Sequence, residues 1–161
     1  MLFLIESIIL CTVFTLIFVP STLKNPLWQL YNYPPAIQER VKSLPEYEGK
    51  IPANKRKLST KITAAVFVVI VLSAIAYLSG ARTFLSAFLY TFGLWMTVNW
   101  FDTLILDILL FCHYKGFRIK GTEDMVKEYE NPWFHLICGI KGSVMGMVVS
   151  VVPVIIIWLI S

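Results

Sequence analysis

Between Trp95 and His113 five side chains interrupt an otherwise apolar run with groups that can do chemistry: Asn99, Asp102, Thr103, Asp107 and His113. On an α-helix each residue turns by about 100°, so with Asn99 at zero Asp102 falls near −60°, Thr103 near +40°, Asp107 near +80° and His113 near −40°. All five share an arc of about 140°. Carboxylates and an imidazole gathered at one level are what a general acid–base pair, a proton relay or a divalent metal requires. Asp102, Asp107 and His113 are therefore candidate catalytic residues, joined by His135 from further along the chain. Asn99, Thr103 and Lys141 are candidates for binding a substrate. Asp102 and Asp107 stand five residues apart, so they diverge by about 140° on an α-helix and cannot chelate one ion alone. A divalent cofactor would need His113, His135 or the acids Glu123 and Asp124 to complete its shell. The competing expectation is structural: the two aspartates pair with Lys141, Arg118 or Lys120, and the histidines bond locally.

These groups need elements to hold them, and the composition says what kind. Of 161 residues, 57% are hydrophobic and only 15% charged, against roughly 45–50% and about 25% in soluble domains. That points to an all-α, polytopic integral membrane protein forming a single domain over 1–161. It argues against a disordered chain, a disulfide scaffold or a nucleic-acid-binding protein. Four segments are expected to be long and apolar enough to span a membrane, at about 20 helical residues each: Leu2–Val19, Ile62–Ser79, Thr83–His113 and Pro132–Ile160. Leu2–Val19 has no basic leader and no small-x-small cleavage site, so it reads as an uncleaved helix. Asn131 is placed to cap the last helix, with Pro132 at its first position.

Lysine and arginine set the orientation. Residues 20–61 carry eight, residues 114–134 carry four, and the short turn 80–82 carries only Arg82. Basic loops stay in the cytoplasm, so loops 20–61 and 114–131 are expected inside and both termini outside, in a bacterial plasma membrane. In the first loop, Ala36–Leu44 is expected to be a short helix. Its face of Ile37, Val41 and Leu44, with Trp28, Tyr31 and Tyr33 just before it, suits the membrane interface. Lys55, Arg56 and Lys57 form a polybasic cluster suited to topology and to anionic lipid. In the second loop, Thr122 is expected to cap a helix over Glu123–Glu130.

Gly142, Gly146 and Ser150 form an i+4 ladder of small residues, with Gly139 beside it, suited to close helix packing or to an oligomer interface. Pro153 can kink this helix, and Lys141 lies on another face. Glu6, near the outer end of the first helix, either reaches the headgroups or handles a proton or cation. Cys11, Cys112 and Cys138 have no CxxC or zinc spacing and read as small apolar residues. No HExxH, GxSxG, P-loop or GxGxxG pattern occurs.

The run from Asn99 through Asp102, Asp107, Cys112 and His113, followed by Arg118 to Met125, resembles a signature of small, uncharacterised bacterial four-helix membrane proteins. That resemblance implies the fold and brings no activity with it. Three functions compete. A membrane enzyme would use the acids and histidines at the cytoplasmic interface on a lipid or lipophilic substrate. An accessory or assembly subunit would use the same arc and the glycine ladder for contacts. A small oligomeric transporter or channel would use the arc as a path. The expected partners are the lipid bilayer and a second copy or another membrane subunit, with no nucleic acid.

Overall fold

In the computed structural model, which describes residues 1–51 and 54–160 and omits the side chains of residues 54–62, the chain is 82% helix with no strand among the described residues. Three helical stretches are long and apolar enough to cross a membrane: Leu2–Lys24, Phe84–Phe111 and Val126–Ile160. The expected second span differs. Its helix covers Asn54–Leu78, but the apolar part, Thr63–Leu78, is shorter than the other three. The basic cluster at Lys55, Arg56 and Lys57 lies outside the described side chains.

Helix α1 (Leu2–Lys24) passes through Pro20 and ends a turn later than expected. It stops where Asn25 turns extended, at φ −150° and ψ 84°. Asn25 precedes Pro26, and the proline ring disfavours a helical residue before it. Helix α2 (Pro35–Ser43) begins on a proline, which suits the first helical position, and ends at Leu44 before Pro45. Helices α3 (Asn54–Leu78) and α4 (Phe84–Phe101) follow. Helix α4 opens with a capping box in which Thr83 and Ser86 bond each other's backbone N–H. It continues without a break as a π-helix over Asp102–Phe111. A short α5 (Val126–Tyr129) precedes α6 (Pro132–Ile160). At the start of α6, Asn131 Oδ1 accepts from the Trp133 N–H at 3.0 Å, as the sequence predicts.

Helix α4 packs against α1, α3 and α6, and α3 also packs against α6. Much of the apolar surface points outward: Ile8 is 66% exposed, Leu16 67% and Leu159 71%. In water, apolar area on this scale is unfavourable by about 25 cal/mol per Å²; in hydrocarbon it has its proper solvent.

The two loops build a cap. Ile37 and Val41 of α2 are buried with Leu30, Tyr33, Phe117, Ile119 and Tyr129, against Phe111 at the end of the π-helix. The amphipathic face of α2 is therefore covered by protein, not laid on the bilayer as its pattern suggests. Thr122 departs from expectation too. Its hydroxyl donates to Ile119 O at 2.7 Å and meets the Tyr129 hydroxyl, whereas α5 starts after Met125. The turn before it needs Gly121 at φ +81°, a left-handed conformation that a Cβ disfavours.

Tyr33, 1% exposed, fastens the cap by donating its hydroxyl to Phe117 O at 2.8 Å. Burial, then the neighbouring Tyr129, pushes its ionisation well above the ordinary 10.0, and burial raises Tyr47 as well. Above pH 10 the unfolded chain loses these protons first, so the folded state binds more protons and stability falls as pH rises. The cap should hold below pH 10 and loosen above it. Tyr33→Phe should cost about 1–3 kcal/mol by orphaning a carbonyl, and should flatten that alkaline slope in a denaturation series. An unchanged slope would remove Tyr33 from this role.

Candidate acid–base site

The π-helix decides which polar groups meet. Its turns close by i→i+5 bonds, such as Cys112 N–H to Asp107 O at 3.0 Å. Such a turn is wider than an α-turn, so a residue five positions on comes nearly back to the same face. Asp102 and Asp107 do not diverge as an α-helix would require. They lie within electrostatic reach of each other and of His135. The same widening carries His113 out of the arc. Its ring is exposed and its Nδ1 contacts Ile108 O at 3.0 Å.

His135, on the first turn of α6, is 2% exposed. Its Nδ1 lies 3.1 Å from Asp107 Oδ2. A carboxylate only accepts, so a hydrogen bond across this distance requires the proton on Nδ1. The rings of Phe111 and Phe134 each stand 5.2 Å from the imidazole, edge to face. Its other nitrogen, Nε2, is buried with no hydrogen-bond partner, and so is Asp102 Oδ1. Each such orphaned polar atom is costly when buried.

The rest of the expected site is placed elsewhere. Asn99 Nδ2 donates to Gly139 O at 3.0 Å and to Ser143 Oγ at 3.3 Å. Thr103 donates to Asn99 O at 2.9 Å and lies against Gly139. The Asn99 side chain thus joins α4 to α6, while the Thr103 hydroxyl is spent within its own helix and its side chain packs on Gly139. Lys141 points to the exposed face of α6. Glu123 accepts from the Gly121 N–H at 2.7 Å in the cap, and Asp124 is exposed. Among the described residues no group of three His, Cys, Asp or Glu is arranged to hold a metal, so Glu123 and Asp124 complete no shell around the aspartates. The expected basic partners are also absent. Arg118 pairs with Glu130 at 3.2 Å, and among the described residues no lysine or arginine pairs with Asp102 or Asp107.

Sequence reasoning missed Trp95, whose Nε1–H donates to Gly142 O at 2.9 Å. With Asn99 and Thr103 it forms an i+4 row that fits the row Gly146, Gly142 and Gly139, so the glycine ladder serves packing within the chain. It also missed the partners of Glu6. The Ser79 hydroxyl donates to Glu6 Oε1 at 2.6 Å and the Tyr90 hydroxyl donates to Oε2, tying α1 to α3 and α4. The carboxylate is thus bonded to two hydroxyls within the chain.

No protein-family model, no curated protein and no solved structure matches the chain.

Proposed function

We propose that this protein is a four-span integral membrane protein whose Asp107, His135 and Asp102 form an acid–base centre acting on a lipid or lipophilic substrate. Helix α3 supplies the fourth span, packed on α4 and α6. The basic loops 20–61 and 114–131 place the centre at the cytoplasmic end, with both termini outside. Cysteines introduced at Lys50 and Arg82, in a background without the native thiols, should label from the inside and the outside respectively. The reverse pattern would overturn the orientation.

One observation carries the functional reading: His135 is held at Nδ1 by Asp107 and keeps a buried, unpartnered Nε2. A carboxylate that fixes the imidazole tautomer leaves the other nitrogen as a base, and then stabilises the imidazolium that forms. The proton would pass from a substrate hydroxyl, or from water, to Nε2. Asp102, within electrostatic reach of both, offers a second acceptor. Phe111 and Phe134 exclude bulk water and give apolar walls to a lipophilic substrate.

The hydrogen bonds of Trp95, Asn99 and Thr103 favour a second reading, an accessory or assembly subunit, for that half of the helix. They weigh against a transport path, because the side chains of Trp95 and Asn99 are consumed by contacts between helices. The test is turnover. Wild-type protein reconstituted in vesicles of a total bacterial lipid extract should change at least one lipid species in a mass-spectrometric time course, and His135→Gln should not. A lipid profile unchanged by wild type, or changed equally by His135→Gln, would contradict the enzyme reading.

A further inference from the structure

A groove of ≈ 490 Å³ runs along α1 where it meets α4, with Ser7, Cys11, Thr12, Thr15, Thr97 and Phe101 in its walls. Four of those residues bear hydroxyls, and three hydroxyls are spent on their own helices. Thr12 donates to Ile8 O at 2.7 Å, Thr15 to Cys11 O at 2.8 Å and Thr97 to Gly93 O at 2.9 Å. These threonines therefore offer the groove their methyl groups. Ser7 is the exception: it is 4% exposed, and its Oγ is buried without a partner. The groove is apolar along its length with one unused hydrogen-bond donor near one end.

We propose that this groove seats an acyl chain of a membrane lipid, with the Ser7 hydroxyl donating to the lipid's ester carbonyl. Ser7 lies about 8 Å from the start of α1 at 1.5 Å per residue, the depth at which the hydrocarbon core gives way to ester groups. From Ser7 to Leu16 the groove runs about 14 Å along the helix, close to the ~15 Å of one leaflet's hydrocarbon. A helix from a second copy is a poorer fit, because its backbone carbonyls are already spent on its own i→i+4 bonds and answer the Ser7 hydroxyl less well than a free ester carbonyl. The inference needs α1 and α4 in a bilayer and does not depend on the acid–base centre.

The test is native mass spectrometry of the full chain released from nanodiscs of a diester phosphatidylcholine or its diether analogue. Wild type should retain one diester lipid. Thr12→Phe, which fills the groove, should lose it, and Ile9→Phe, an outward position on the same helix, should keep it. Ser7→Ala should cut diester retention about three- to tenfold and leave diether retention unchanged. If Thr12→Phe fails to fold by circular dichroism, Leu16→Trp fills the other end. Equal retention in wild type and a folded groove-filling variant would overturn the proposal, as would equal retention of the two lipids by wild type. A lipid-free dimer that Thr12→Phe dissociates would give the groove to a second copy and overturn it too.

Discussion

Gly146→Ala is expected to destabilise the bundle by about 1–3 kcal/mol, the range for overpacking a tight core. The sign is the informative part. In an ordinary helix, glycine to alanine gains up to about 1 kcal/mol. Here a Cβ on residue 146 would run into the Trp95 ring, with Cγ at 2.9 Å and two further ring atoms closer still. Trp95 cannot swing aside without breaking its bond to Gly142 O. Gly146→Leu should be worse, and Val148→Ala, on the exposed face, should be near neutral. The measurement is unfolding in a graded detergent series, with size checked in parallel. A stable Gly146→Ala protein of unchanged size would mean that the α4–α6 contact is not close at this level.

The second large effect is expected at Asp107, where two substitutions separate two roles. Asp107→Ala leaves the buried His135 Nδ1–H without an acceptor, which should cost about 1–3 kcal/mol. Asp107→Asn keeps the shape and can still offer its amide oxygen to Nδ1, so most of that stability should remain. It removes the negative charge that stabilises the imidazolium. Lipid turnover should then fall by about 10²–10⁴-fold, the usual share of general acid–base catalysis. If Asp107→Asn unfolds as easily as Asp107→Ala and turns over lipid like wild type, the pair is a structural bond and nothing more.

The start of α6 was legible in the chemistry of Asn131 and Pro132. The end of α1 was not: it runs past the expected Val19 and stops before Pro26, and Thr122 starts no helix. The polar face of α4 was legible as a face that must be covered, since a lipid-facing aspartate costs about 2.5–3.5 kcal/mol. What covers it was not. Asn99 and Thr103 meet glycines forty residues away, and Trp95 donates to a backbone carbonyl that no side-chain pattern marks. The π-helix was illegible because Asp102–Phe111 contains no proline or glycine and reads as ordinary helix. Yet that widening brings Asp102 and Asp107 toward one face and turns His113 away. The apolar face of α2 was read as membrane-facing and is covered by protein, because Ile37 and Val41 present the same pattern to a bilayer and to a protein core. Glu6 shows the same limit: its partners Ser79 and Tyr90 are distant in sequence, and only the packing of three helices brings them together.

The proposed acid–base centre turns on the state of one imidazole, that of His135. ¹⁵N NMR of histidine-labelled protein in bilayers, with His113→Gln used to assign the two rings, reports which nitrogen of His135 bears the proton. The expected result is a neutral ring protonated at Nδ1, with Nε2 bare, and a disturbed Nδ1 signal in Asp107→Ala. A His135 protonated at Nε2, or one whose spectrum ignores the loss of the Asp107 carboxylate, would contradict an acid–base centre built on this pair.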